Sequence, residues 1–375
     1  MLLRKSAVGP TVTDVRTALH AVQDPEIHRP LDELGMLRDV TVSRGTVAVE
    51  VALTTPTCPL VDRLRTDVVA AVATLAGAHD VRVTFTAMSE RERMELAQAL
   101  RSSRGPADAV TGYRSPAARV YAVASGKGGV GKSSVTANLA ASLAAAGQQV
   151  GVLDADVWGY SIPQLFGVRR SPVALKGLML PVESYGVRLM STGFFVDDGE
   201  PVVWRGPMLH KALEQFLADV HWGDLDVLLL DLPPGTGDIT LSLLELLPDA
   251  ALLAVTTPQP AAQTVAARVG RMALDMRMPI AGVVENMTSL VCGACGEQTP
   301  LFGAGGGARL ADQLGAPLLG QVPLDIALRE AGDAGQPVVL RTPESPAARE
   351  LARLAGVLPA RRRSIAGVPL SLTPV

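Results

Sequence analysis

The amino-acid sequence predicts an α/β protein: a doubly wound, mostly parallel sheet carrying a glycine-rich phosphate loop, with a small α+β unit in front of it. Three observations predict this. From Ala117 onward, strand-length apolar runs alternate with helical segments, as they do when strands are buried on both faces of a parallel sheet. One of those runs leads straight into a Gly-rich loop and a helix-forming stretch, the setting that a phosphate cradle requires. Ahead of these, residues 12–86 mix helical and alternating periodicity on a smaller scale.

In chain order, the small unit reads as a helical stretch over 12–22, alternating strands over 37–42 and 46–53, a helix over 61–75 and a strand over 81–86. That is enough for a unit that folds alone. Ser89 and Glu92 stand at capping-box spacing before a polar helix ending near Arg101. The turn-rich segment SSRGPADAVTGYRSP follows and reads as a linker. The larger unit places strands at 120–124, 150–153, 227–230, 250–255, 280–284 and 317–322, and parallel pairing among them requires right-handed crossovers. The expected division is a small unit at 8–87, a helical or flexible linker at 88–116, the sheet unit at 117–358 and a tail at 359–375.

Composition narrows the function classes. A chain of 375 residues, at about 150 per domain, suits one large and one small domain. With 48% hydrophobic and 19% charged residues the chain is far from a disordered profile. A net charge of -3 supplies no global attraction to nucleic acid or anionic lipid, so neither partner is expected. Three cysteines cannot build a disulfide framework. No window approaches the ~18 apolar residues of a membrane span, and the opening MLLRKSAVGP lacks a secretory apolar core. A reduced, cytoplasmic protein is expected.

The phosphate loop is the sharpest local signal. Gly126, Gly131, Lys132 and Ser133 satisfy G-x-x-x-x-G-K-[ST] within the run Gly126, Lys127, Gly128, Gly129, Val130, Gly131, Lys132, Ser133, Ser134. Glycines let backbone N–H groups converge on phosphate oxygens at a helix N-terminus, where the dipole favours anions. Lys132 is expected to reach the β- and γ-phosphates, and Ser133 to ligate magnesium. Five of the 34 basic residues are lysines, leaving 34 − 5 = 29 arginines. Two of those five, Lys127 and Lys132, share this loop. The cradle does not need Lys127, which suits a second cation acting on the transferred phosphoryl group, in a dimer across the interface.

Carboxylates complete the pattern. Asp231 ends an apolar strand and precedes the turn-rich Pro233-Pro234-Gly235-Thr236-Gly237-Asp238, which suits magnesium binding and a loop that senses the γ-phosphate. Asp154 and Asp156 stand at another strand end on one side of an extended chain. One can orient the attacking water and the other support the metal. A guanine-reading Asn-Lys-x-Asp motif is absent, which favours ATP, and Asn286 just past a strand is a candidate for the adenine edge.

Cys292 and Cys295 form a C-x-x-C pair in a glycine-flanked loop. Zinc or a cubane cluster needs four ligands, and one chain supplies two here. A twofold axis supplies the rest economically. A redox pair, a structural zinc clamp and two unligated thiols remain as alternatives. Cys58 in Thr57-Cys58-Pro59-Leu60 reads as a helix cap with Pro59 at the first helical position, and is a candidate accessory thiol.

With those residues in place, the chain resembles the Mrp/ApbC family of P-loop NTPases that carry iron–sulfur clusters, within the wider MinD/ParA-like group. The resemblance rests on the loop from Gly126 to Ser133 and on Asp154-Ala155-Asp156-Val157-Trp158-Gly159-Tyr160-Ser161-Ile162-Pro163. It continues through Trp204-Arg205-Gly206-Pro207-Met208, the Asp231–Asp238 segment, Thr256-Thr257-Pro258-Gln259, Glu285-Asn286-Met287 and the cysteine pair. It implies a homodimer in which Cys292 and Cys295 of both subunits bridge a labile [4Fe-4S] cluster. It also implies weak ATPase activity that gates cluster loading and delivery to apo iron–sulfur proteins, with a cluster-assembly scaffold as a further partner. Lys127 matches the signature lysine of that group. The small unit is similar to the assembly-factor domain often fused to this family, through Asp24-Pro25-Glu26-Ile27, Leu34-Gly35-Met36 and Cys58. A positioning ATPase of the MinD or ParA kind is the competing reading, and a metallochaperone NTPase a third. The poor helical character of 364–375 and the few lysines disfavour a membrane or DNA platform.

Overall fold

The computed structural model describes residues 9–43, 45–55, 60–102, 118–195, 206–292 and 295–358. In chain order the elements are α1 (Val12–Leu19), β1 (Leu37–Ser43), β2 (Thr46–Leu53), α2 (Val61–Ala73), β3 (Asp80–Ala87), α3 (Glu90–Ser102), β4 (Arg119–Ser125), α4 (Lys132–Ala145) and β5 (Val150–Asp154). There follow α5 (Ile162–Leu165), β6 (Val173–Leu175), β7 (Leu178–Leu180), β8 (Val182–Ser184), β9 (Val187–Ser191), α6 (Gly206–Ala218), β10 (Val227–Asp231), α7 (Asp238–Leu246) and β11 (Ala251–Thr256). The chain closes with α8 (Pro260–Asp275), β12 (Ile280–Val291), β13 (Gln298–Thr299), α9 (Gly306–Leu314), β14 (Leu318–Leu324), α10 (Ile326–Asp333), α11 (Val338–Arg341) and α12 (Pro346–Val357). Among the described residues no helix is long and apolar enough to cross a membrane.

The large sheet has nine strands in the order β13-β12-β11-β4-β10-β5-β9-β8, with β14 also pairing β12. Pairing is parallel except where β13 meets β12 and β8 meets β9. Alternation along each strand feeds two cores. On β4, Tyr121 and Val123 join Leu139, Val152 and Leu351 on one face, while Ala122 and Ala124 join Leu153, Leu228 and Leu230 on the other. Burial on both faces is what makes these strands near-continuous apolar runs.

The segment 173–191 was not expected to hold strands, yet β6 to β9 lie there and β9 extends the sheet beside β5. The first strand of the 280–291 region is also longer than the apolar run suggests. It continues through Met287, whose φ is +57°, and a register shift between Asn286 and Leu290.

The small unit folds as β1-β2-β3 with α1 and α2, but its core is not closed by those elements alone. Leu96, Ala97 and Leu100 of α3, and Leu175, Leu178 and Leu180 of the β6–β7 hairpin, pack into the same apolar cluster. The Ser89–Glu92 capping box forms as its spacing predicts: Glu92 Oε2 accepts from Ser89 N at 2.6 Å and Glu92 N donates to Ser89 Oγ at 3.3 Å. Polar contacts frame the contact with the hairpin region. Arg170 pairs with buried Glu26 at 2.6 Å, Lys176 with Glu90 at 2.6 Å, and His28 with Glu183. Burial pushes the Glu26 carboxyl up, while Arg170 beside it acts in the opposite direction. At α2 the helix begins at Val61 with Leu60 as its cap; the cap reading of Cys58 and Pro59 falls on residues outside those described. Cys58 itself lies outside the described residues, as do Trp204 and Arg205.

Candidate functional site

Topology brings the site together at the C-terminal ends of β4, β10 and β5, which are neighbours in the sheet although 227–231 follows both others in sequence. Their register sets Asp231 level with Asp154 and Val123. Outside this edge lies the crevice where open parallel sheets bind ligands.

The glycines of the loop serve different purposes. Gly129 and Gly131 have φ of +78° and +80°, a conformation that disfavours a side chain. Gly126 does not; there, a Cβ would lie 2.2 Å from Ala266 N, so its role is to let the backbone of α8 close on the loop. Gly128 has open space where a Cβ would point. The Asn286 side chain lies against Gly131 and donates through Nδ2 to Val130 O at 2.9 Å. Its Oδ1 is buried without a hydrogen-bond partner. Ser134 presents its carbonyl to Asn138 Nδ2 at 2.8 Å within α4.

Lys132 and Asp231 form a buried ion pair, Nζ to Oδ2 at 2.6 Å. Ser133 Oγ donates to the same carboxylate oxygen at 2.5 Å, and Thr136 Oγ1 donates to Oδ1 at 2.8 Å. Thr136 escapes a motif reading, although its place four residues after Lys132 puts it on the same helix face. Asp154 accepts from Asp156 N at 3.2 Å, and from Ser161 N, Ile162 N and Ser191 Oγ at 3.1 Å each. Those donors make it the organiser of the loop after β5. Burial, and then the charge of Asp231, push its carboxyl up to about 7 against the opposing pull of Lys132. Asp156, 8% exposed, accepts from Gly159 N at 3.1 Å. Burial raises its pKa, Lys132 lowers it and Asp231 raises it. Both aspartates thus share the field of Lys132 and Asp231, as the strand-end pattern anticipates.

Lys127 lies apart from Lys132. Its Nζ donates to Gln259 Oε1 at 3.2 Å, and Thr257 Oγ1 donates to the same oxygen at 3.2 Å. No spacing rule in the sequence connects Lys127 to Gln259.

Cys292 and Cys295 are exposed and form no disulfide, and both lie between the antiparallel strands β12 and β13. Cys292 N donates to Glu297 O and Gly296 N to Cys292 O, both at 2.9 Å. This is a hairpin tip, not the helix start on which a redox C-x-x-C relies. Among the described residues no group of three or more His, Cys, Asp or Glu side chains is placed to hold a metal. Cys292 directly follows the last residue of β12, Val291, and lies six residues beyond Asn286, a span of at most about 20 Å at ~3.3 Å per residue.

Oxygen donors from Ser133 and Asp231, adjacent to a lysine that can pair with phosphate, suit a hard divalent cation such as magnesium. The arrangement is that of a nucleotide cradle with a separate pair of exposed cysteines.

Comparison with known proteins agrees with this. Residues 117–358 match the family model described as NUBPL iron-transfer P-loop NTPase, and residues 13–85 match that of an iron-sulfur cluster assembly protein. The iron-sulfur cluster carrier protein of Mycobacterium tuberculosis is 50% identical over 370 residues, covering 96% of each chain. That of Synechocystis is 41% identical over 351 residues, covering 92% of this chain and 96% of the other. Among solved structures, a nucleotide-binding protein from Archaeoglobus fulgidus in complex with ADP is 36% identical, with a TM-score of 0.53, over 61% of this chain and 89% of that one. With cradle and fold matched over the larger unit and the small unit matched as well, the chain belongs to the NUBPL-type iron-transfer P-loop NTPases, the family of the iron–sulfur cluster carrier proteins.

Proposed function

We propose that this chain is an ATP-driven carrier of a labile iron–sulfur cluster, working as a homodimer in which each copy contributes Cys292 and Cys295. The observation that carries the reading is the pair of exposed thiols on a hairpin tip with no third ligand grouped beside them among the described residues. A four-ligand cluster therefore calls for a second copy. The cluster, read as [4Fe-4S], is cargo, loaded from an assembly scaffold and passed to apo iron–sulfur proteins in the cytoplasm.

In this reading ATP binds at the Gly126–Ser134 loop, its phosphates held by backbone N–H groups and by Lys132. Asn286 Oδ1, a buried acceptor, takes the adenine amino group. Ser133 and Asp231 hold magnesium, which when bound neutralises charge on the phosphates. Asp156 orients the attacking water while Asp154 holds the loop around it, and Lys127 acts on the phosphoryl group across the dimer. Lys132 must leave Asp231 to reach a phosphate, so nucleotide binding perturbs the 231–238 segment. The same nucleotide contacts Asn286, whose strand ends at Val291, immediately before Cys292. Two segments are thereby biased by one ligand, as a gate on cluster release requires. The division into units at 8–87, 88–116, 117–358 and 359–375 belongs to the same proposal, with Cys58 as an accessory thiol of the first.

Anaerobic reconstitution of the full chain with iron and sulfide tests the reading, followed by absorbance, metal and sulfide content, and solution mass. A dimer holding one cluster is expected, and Cys292→Ser or Cys295→Ser should abolish retention. Full iron and sulfide in both variants, or in a monomer, would refute it.

A further inference from the structure

We infer that Gln259 is a positioning residue that parks Lys127 on its own chain and so restrains the step in which that lysine acts on nucleotide. The inference rests on the proposed role of Lys127. An ammonium only donates hydrogen bonds, so the amide facing it presents its oxygen, and Oε1 takes both Lys127 Nζ and Thr257 Oγ1 at 3.2 Å.

The holder is rigid. Gln259 lies between Pro258 and Pro260, with φ −64° and ψ +133°, at the start of α8, and proline on both sides narrows its backbone freedom. Its side chain makes no capping bond to the helix, so the amide is available for the lysine. About two α8 turns further on, the backbone at Val265 and Ala266 closes on Gly126. The loop is thus fixed to α8 at two successive residues, by contact at Gly126 and by a hydrogen bond at Lys127. Lys132 is tethered on the opposite side, to Asp231. A neutral amide holds the cation without cancelling its charge, which leaves Lys127 able to exchange this partner for a phosphate oxygen.

The two cations of the loop therefore have separate releases, Lys132 from a buried carboxylate and Lys127 from a half-buried amide. Losing one partly exposed hydrogen bond to a charged group shifts an equilibrium by roughly fivefold. Removing the amide should favour the engaged lysine by about that factor, and a carboxylate in its place should oppose it.

Steady-state ATP hydrolysis by the full-length protein tests this with Gln259→Ala, Gln259→Glu, Lys127→Ala and the Lys127→Ala/Gln259→Ala double variant. Affinity for a non-hydrolysable ATP analogue is measured alongside. Gln259→Ala should raise kcat roughly fivefold and Gln259→Glu should lower it by a similar factor, with analogue affinity and thermal midpoint near wild type. In the Lys127→Ala background the alanine at 259 should change nothing. If Lys127→Ala hydrolyses like wild type, the proposed role of Lys127 falls and the parking inference with it. If Lys127→Ala is impaired but Gln259→Ala lowers or does not change kcat, the parking inference alone is overturned. The near-isosteric Gln259→Glu keeps the test valid should the alanine variant fold poorly.

Discussion

Replacing Asp231 by asparagine isolates the energetics of the buried pair beneath the loop. The carboxylate is fully buried and Lys132 only 6% exposed. Asparagine keeps the shape and one acceptor oxygen, but it removes the charge and turns an NH2 group toward donors from Lys132, Ser133 or Thr136. Leaving one partner of a buried ion pair uncompensated costs about 3–5 kcal/mol. Replacing both partners by neutral groups of similar volume is often close to neutral. Lys132→Met/Asp231→Asn should therefore recover most of the loss, giving a coupling between the two sites at least as large as the cost of either single variant, about 3 kcal/mol or more. Urea unfolding followed by tryptophan fluorescence reads this in the right place, because Trp158, Trp204 and Trp222 all belong to the 117–358 region and Trp222 is buried in its core. Simple additivity of the two single variants would refute the idea that the pair is one energetic unit.

Two further outcomes follow from the same geometry. Asp154 holds its proton in the folded chain up to about 7 but releases it near 3.8 when unfolded. The unfolded state then binds fewer protons between those values, and the stabilisation present below about 4 is lost as pH rises toward 7, by up to about 4 kcal/mol. In EDTA, the difference in unfolding free energy between wild type and Asp154→Asn should shrink or invert across that window, and parallel pH curves would contradict it. Gly126→Ala places a methyl 2.2 Å from Ala266 N, forcing loop and α8 apart at about 1–3 kcal/mol; nucleotide affinity by titration calorimetry should fall with the thermal midpoint, and an unchanged affinity would remove α8 from the account of the loop.

Much of this was legible in the residues alone. Strands buried on both faces need continuous apolar runs, so β4, β5, β10, β11 and β14 appear at nearly their observed positions. The phosphate loop is legible because its chemistry is local: backbone donors, lysine and serine are consecutive in the chain. The C-x-x-C pair is legible for the same reason. The strands β6–β9 were not, because β6, β7 and β8 have three residues each, too few positions for a period to show, and the apolar side chains of the four strands answer to two cores. Leu175, Leu178 and Leu180 look inward to the small unit, while Leu189 serves the large sheet.

The sequence by itself determined which groups the protein owns: a phosphate cradle with two lysines, three aspartates at strand ends and two thiols in a C-x-x-C pair. Only the tertiary structure decided what each of them touches. Asp231 meets Asp154 because β10 inserts between β4 and β5, Gly126 is a glycine because α8 passes over it, and Lys127 rests on an amide 132 residues away. Periodicity and motif spacing register interactions within a turn or two of chain, whereas these contacts are set by strand order and register, which bring distant residues together only once the sheet is assembled.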